Sequence, residues 1–127
     1  MLLKDKNVFI TGGSRGIGKA AIIELVKNGA NIAFTYVSNE EGAKDTVKIA
    51  KEINQNVKIV YYRLDVKNSK EVDQIADRAI GDFGHIDVVI NNAGILKDGP
   101  IHFMSDTQWD EVIQTHLTGT FYVCRAF

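Results

Sequence analysis

The chain has 127 residues, a single cysteine and a formal net charge of -1, with 45% hydrophobic and 24% charged residues. That length suits one domain, because domains run at roughly 100 to 200 residues, and the composition is that of a globular chain with a sizeable core rather than a disordered one. The near-neutral charge gives no electrostatic reason to bind nucleic acid or an anionic membrane, and a lone cysteine excludes an internal disulfide and any thiolate-rich metal site.

The opening stretch "MLLKDKNVFI" lacks the apolar core of a signal peptide, and no apolar run approaches the length of a bilayer span. A cytoplasmic location is the expectation. Cys124 reads as a buried small apolar residue. In chain order, "NVFIT" (Asn7 to Thr11) predicts a first strand. A helix follows with Ile17, Ala21, Ile22, Leu25 and Val26 on one face, stopped by Asn28 and Gly29. "NIAFTY" (Asn31 to Tyr36) is the second strand, and Ser38, three residues before Glu41, has capping-box spacing for a helix to about Ile53.

"VKIVYYRL" (Val57 to Leu64) predicts a third strand, and Asn68, with Glu71 three residues on, starts a helix that stops near Gly84. The apolar "IDVVIN" (Ile86 to Asn91) is a fourth strand, of the kind expected when both sheet faces are covered. Ser105, with Gln108 three residues on, caps a last helix that runs to Phe127. Alternation of strand and helix implies right-handed crossovers and an α/β, doubly wound parallel sheet over residues 1 to 127. Ligands of such sheets sit beyond the carboxyl ends of the strands, so the loops after Thr11, Tyr36, Leu64 and Ile90 are the candidates for a site.

The first of these loops is "TGGSRGIGKA" (Thr11 to Ala20). Gly12, Gly13, Gly16 and Gly18 stand in a strand-to-helix turn, where missing Cβ atoms and helix-terminal N–H groups let a phosphate approach. A triphosphate loop would use Gly13, Gly18 and Lys19 and require a hydroxyl at position 20 for Mg²⁺. Position 20 is Ala, so a dinucleotide is the better reading, and Lys19 becomes a solvated residue of the first helical turn.

"TGGSRGIG" (Thr11 to Gly18), "LDV" (Leu64 to Val66) and "NNAG" (Asn91 to Gly94) together resemble the short-chain dehydrogenase/reductase family. The flanks "FGHIDVVINNAGI" and "WDEVIQTHLTGTF" are most similar to its 3-oxoacyl-(acyl-carrier-protein) reductase and acetoacetyl-CoA reductase branch. The resemblance covers the whole chain. It implies a Rossmann-type sheet of strand order 3-2-1-4, here cut off after the fourth helix. It also implies that Gly12, Ser14, Arg15, Gly16, Ile17 and Gly18 surround the cofactor's pyrophosphate and adenosine phosphate. Asp65 and Val66 would contact the adenine, Asp65 otherwise serving as a cap for its loop. Asn92, Ala93 and Gly94 would line the adenosine ribose and support the end of the fourth strand. The implied substrate is linked to acyl-carrier-protein or CoA, and the complete enzyme would be a homo-oligomer joined in part through its fourth helix.

An NAD site usually has a carboxylate at the end of the second strand for the ribose 2′-hydroxyl. Here Tyr36 and Val37 stand there, while Glu40 and Glu41 come later, in the next helix. Arg15 can reach a 2′-phosphate, and NADP(H) is the cofactor favoured. The family's proton donor is a Tyr with a Lys four residues on and a Ser upstream; Tyr36, Tyr61, Tyr62 and Tyr122 are followed at that distance by Glu40, Asp65, Val66 and Ala126. No catalytic residue is assigned, and the chain alone is expected not to turn over. A catalytically inactive dinucleotide-binding or association module, or a truncated gene product, is the alternative.

In "IQTHLTG" the family usually has Asn where His116 stands, tied to a proton relay and a local helix irregularity. His116 lies in the apolar stripe of Trp109, Val112, Ile113, Leu117, Phe121 and Cys124, so a satisfied, partly buried histidine ranks ahead of a functional one. His85 and His102 show no metal-ligand spacing, and no metal is expected. The substrate pocket is bordered here at most by Ile95 to Met104. A fourth strand without its outer neighbour leads us to expect poor solubility or association.

Overall fold

In a computed structural model, residues 1–95 and 99–127 are described. Four strands, β1 (Asn7–Ile10), β2 (Asn31–Tyr36), β3 (Ile59–Arg63) and β4 (Val88–Ile90), alternate with helices α1 (Gly16–Lys27), α2 (Glu40–Ile53) and α3 (Ser69–Phe83). After β4 come a 3-10 turn, Ile101–Phe103, and α4 (Asp106–Ile113), which passes through a π-helical turn, Gln114–Thr118, into α5 (Gly119–Ala126). The strands are parallel, in the order β3-β2-β1-β4. The Rossmann-type sheet and the 3-2-1-4 order expected from the sequence are those of the structure.

The pleat of the central strands sorts their side chains between two cores. Val8, Ile10, Ile32 and Phe34 pack with Ile22 and Val26 of α1 and Ala43 and Ala50 of α2. Phe9 and Ala33 face the other way, toward Val72, Ile75 and Ala79 of α3 and Val123 of α5. All four residues of β1 are buried, as a strand covered on both faces requires.

Side-chain caps set most helix starts. Asn68 Oδ1 accepts from Glu71 N at 3.2 Å, and Ser105 and Gln108 form a reciprocal capping box. For α2 the expected cap was Ser38; the structure uses Asn39, whose Oδ1 accepts from Gly42 N at 3.0 Å. β2 spans the residues expected, whereas β1, β3 and β4 are shorter than their apolar runs, β4 pairing with β1 only over Val88 to Ile90.

The last helix differs most from expectation. A π turn holds more residues than an α turn, so it rotates everything after it relative to a helix of uniform pitch. The buried positions are Thr115, Gly119 and Val123, and a methyl on Gly119 would lie 2.6 Å from Val66 Cγ2. Trp109, Leu117 and Phe121, read as a packed stripe, are 55%, 67% and 47% exposed. Cys124, expected to be buried, is exposed, its Sγ 3.4 Å from Asn91 Nδ2; Val123 takes the core position beside it. Val88 of β4 is 40% exposed at the sheet edge, as expected of a fourth strand without an outer neighbour.

At the amino ends of the strands, Asn7 ties the sheet to the α3–β4 connection. Its Nδ2 donates to His85 O at 2.9 Å, and its backbone N donates to Asp87 Oδ2 at 2.8 Å. That backbone hydrogen bond, with His85 and Lys6 adding attraction, holds the Asp87 carboxyl below its usual pKa. A depressed folded pKa means that this contribution is present above the ordinary aspartate range and is lost as pH falls through the folded value. Acid melts should therefore show a stability loss below the ordinary aspartate pKa that is smaller in Asp87→Asn, whose amide oxygen still accepts from Asn7. Identical pH profiles for the two proteins would refute this role.

Candidate functional site

A cavity of about 600 Å³ opens at the carboxyl ends of the strands, lined from all four strand-following loops. Gly12, Ser14, Arg15, Gly16 and Ile17 line it from the β1–α1 loop, Asp65 and Val66 from the loop after β3, and Asn92, Ala93 and Gly94 from the loop after β4. Of the residues that the family resemblance places around the cofactor, Gly18 alone does not line it. Gly18 is buried beneath the loop, where a Cβ would lie 1.8 Å from Gly12 O.

Threonines hold this loop in place. Thr11, buried at the end of β1, accepts through Oγ1 from Asn92 N at 3.0 Å and Ala93 N at 2.9 Å. Thr35 Oγ1 accepts from Gly12 N at 3.2 Å, and Thr46 Oγ1 donates to the carbonyls of Gly13 and Gly42, each at 3.0 Å. Asn92 Nδ2 donates to Gly12 O at 2.9 Å, so its amide latches the β1 loop to the β4 loop. Gly12 has φ +77° and Gly16 φ +58°, conformations that favour glycine.

The start of α1 is chemically unlike that of α2, α3 or α4. Arg15 occupies its N-cap, accepts no amide through its side chain, and no acidic residue lies in the first turn. The other three each have a side-chain cap and a first-turn carboxylate: Glu40 and Glu41, Glu71, and Asp106. The first residues of α1 thus line the cavity, and their amides have no acceptor from a cap, at the positive end of the helix dipole. An anionic group of diphosphate size fits this arrangement. The volume is that of a small-molecule site, on the order of 300–1,000 Å³.

The β2 end of the cavity is lined by Tyr36, Val37, Ser38 and Asn39. Burial first, then Glu40, raises the Tyr36 phenol above its ordinary pKa, which keeps it a neutral donor. Glu40 and Glu41 stand outside the wall, near the Tyr61 hydroxyl and Lys44 respectively. Among the described residues Asp65 is the one carboxylate in the lining. Its Oδ1 accepts from Lys67 N at 3.0 Å, the turn-capping role, and Oδ2 is 3.7 Å from Lys67 Nζ. Lys67, Thr35 and Asn39 are lining residues that the sequence reading did not single out; a basic residue after "LDV" was the available signal for Lys67.

Lys19 is not in the wall; it pairs with Asp45 at 2.7 Å and ties α1 to α2, rather than being free in solvent. A triphosphate loop would need that ammonium at the phosphates. His116, expected to be partly buried, is exposed in the middle of the π turn. Its Nε2 lies 3.1 Å from Ile95 N and 2.9 Å from Ile95 O, and one ring nitrogen serves one of these at a time, according to its tautomer. Ile95 lines the cavity, whereas residues 96 to 98 of the stretch expected to border the substrate lie outside the described residues. Among the described residues no group of His, Cys, Asp and Glu could hold a metal ion, and no helix is long and apolar enough to cross a membrane.

Residues 6–127 match the family model for short chain dehydrogenase. The chain belongs to the short-chain dehydrogenase family. The NADP-dependent mannitol dehydrogenase of Alternaria alternata is 42% identical over 128 residues, covering 98% of this chain and 47% of that protein. A 3-oxoacyl-(acyl-carrier-protein) reductase of Staphylococcus epidermidis is 34% identical over 117 residues, or 92% of this chain and 47% of that one. Among solved structures, a short-chain dehydrogenase/reductase from Serratia marcescens superposes with a TM-score of 0.92 at 26% identity, over 99% of this chain and 51% of its own. The chain spans about half the length of the curated short-chain dehydrogenase relatives it matches.

Proposed function

We propose that this chain is the NADP(H)-binding part of an oxidoreductase that reduces a 3-oxoacyl thioester carried on acyl-carrier-protein or CoA. The observation that carries the cofactor reading is the uncapped, carboxylate-free start of α1 opening into the cavity beneath a glycine loop. In this reading the amides of Ser14, Arg15, Gly16 and Ile17 receive the pyrophosphate, with Gly12 and Gly18 giving the loop its shape. Asp65 accepts from the adenine amine and Val66 packs on the ring, while Asn92, Ala93 and Gly94 border the adenosine ribose. NADPH supplies the hydride when bound; the work of these residues is to bind and orient it.

The choice of NADP(H) rests on Arg15 at the rim and on the absence of a carboxylate from the β2 end of the wall. Arg15 is exposed and has no ion-pair partner among the described residues. Arg15→Ala should weaken NADPH binding about tenfold, a change of roughly 1.4 kcal/mol, and leave NADH binding unchanged, as read by fluorescence titration. Equal affinities of the unaltered chain for NADH and NADPH would refute the assignment.

The 3-oxoacyl substrate rests on the flanking motifs and the resemblance to the staphylococcal reductase. The coding DNA beyond residue 127 tests it, through an in-frame Ser and Tyr-x-x-x-Lys and reduction of acetoacetyl-CoA by the protein so encoded. Oxidation of a polyol in place of that reduction would reject the substrate and leave the cofactor reading intact. The exposed face of Trp109, Leu117 and Phe121 supports a homo-oligomer joined there, and supports equally the alternative of a non-catalytic dinucleotide-binding or association module.

A further inference from the structure

We infer that the hydroxyl of Thr115, on the last helical arm, is a binding group for the adenine ring, donating to one of its ring nitrogens. The inference rests on the dinucleotide reading above and extends it to a residue to which the sequence pattern gives no role.

Among the described residues the buried polar side chains are those of Asn7, Thr11, Thr35, Thr46 and Thr115. All but the last are committed within the fold. Asn7 holds the α3–β4 connection, and the hydroxyls of Thr11, Thr35 and Thr46 bond backbone groups of the loops. Thr115 is 7% exposed, yet its hydroxyl has no hydrogen-bond partner among the described residues. It does not bond back to the preceding turn, as Thr120 Oγ1 does to His116 O at 2.7 Å. Among the described residues no side-chain nitrogen or oxygen sealed from solvent lacks a partner, so this hydroxyl is open to solvent. The opening that Thr115 lines is the cavity.

The next turn of the arm fixes its place in the wall. Thr115, Gly119 and Val123 are the buried positions, and Gly119 lies so close to the loop after β3 that an added Cβ would meet Val66 Cγ2 at 2.6 Å. Thr115 thus enters the wall one turn from that contact, on the face of the arm that packs against the loop carrying Asp65 and Val66. A base packed on Val66 would cover the hydroxyl and strip its water, which costs affinity unless a ligand atom replaces it. Adenine offers its amine to an acceptor and its ring nitrogens to a donor. The Asp65 carboxylate can only accept, whereas a hydroxyl rotates to donate. The two side chains together supply both kinds of partner.

Thr115→Val removes the hydroxyl and keeps a branched side chain of nearly the same shape; Thr115→Ser keeps the hydroxyl. Binding is measured by calorimetric titration of the full chain with ADP, with its 1-, 3- and 7-deaza analogues, each lacking one ring nitrogen, and with 2′-deoxy-ADP. Thr115→Val should raise the dissociation constant of ADP about fivefold, and that of 2′-deoxy-ADP equally, while Thr115→Ser stays close to the parent. One of the three deaza analogues should bind the parent and Thr115→Val alike, which identifies the nitrogen that takes the hydrogen bond. Because the hydroxyl has no partner in the fold, Thr115→Val should melt no lower than the parent; a lower melting temperature would make the hydroxyl structural and overturn the inference. Unchanged ADP affinity in Thr115→Val overturns it too and leaves the dinucleotide reading intact. So does a loss that persists with all three deaza analogues, or one that disappears with 2′-deoxy-ADP. If the unaltered chain binds neither ADP nor NADPH, both fall.

Discussion

A chain with alanine at position 18 is expected to be about 3 kcal/mol less stable than the parent and to lose measurable NADPH binding. The added methyl would stand 1.8 Å from Gly12 O and 2.6 Å from Asn92 Nδ2, and these two atoms form the latch between the β1 and β4 loops at 2.9 Å. Neither can retreat without opening that bond, and the carbonyl is backbone, so the loop itself must move. Gly16→Ala is the control: nothing lies within 4 Å of its Cβ, and its φ of +58° is the only obstacle. That backbone conformation costs about 1–2 kcal/mol for an L residue. Urea melts of the two variants separate a packing glycine from a conformational one. A Gly18→Ala chain as stable as Gly16→Ala would show that the latch is not needed.

Thr11→Val should lower stability by about 2 kcal/mol although the side chain keeps its shape and its burial, because two backbone N–H groups lose their one acceptor. Thr11 is 1% exposed, and its hydroxyl oxygen lies 3.0 Å and 2.9 Å from Asn92 N and Ala93 N. Thr11→Ser restores that oxygen and should recover most of the loss. Amide exchange gives the local reading: the Asn92 and Ala93 protons should exchange faster in Thr11→Val and return toward parental rates in Thr11→Ser. Parental exchange rates in Thr11→Val would mean that other groups hold the β4 loop.

The order of strands and helices was readable because each strand is a short apolar run and each crossover helix has an apolar face of period near 3.6. The four strand-following loops could be named because such sheets bind ligands at one end only; the individual residues in them, Gly12, Ser14 to Ile17, Asp65, Val66 and Asn92 to Gly94, follow from the resemblance of "TGGSRGIG", "LDV" and "NNAG" to the short-chain dehydrogenase/reductase family. Thr11 and Thr35 could not be found this way. Their hydroxyls act on backbone amides far along the chain, and nothing in the local pattern of a strand end marks such a partner. Ser38 and Asn39 are adjacent cap residues, and three-dimensional contact with Gly42 decides between them. In the last helix, Cys124 reads as buried both as a lone cysteine and as a member of the apolar stripe. The stripe presumes a uniform pitch, which the π turn at Gln114–Thr118 breaks.

The sheet register also carries a kinetic consequence. β1 pairs with β2 through residues 24 apart, as in Asn7 and Asn31, but with β4 through residues 80 apart, as in Val8 and Val88. Closing the longer loop costs about 1 kcal/mol more in chain entropy. Contacts of greater sequence separation are the slower ones to form. Chain entropy thus makes the β4 side of the cleft, from Asn92 to Ile95, the late-assembling wall. The glycine loop and the start of α1 can be in place before the β4 side that completes the cleft.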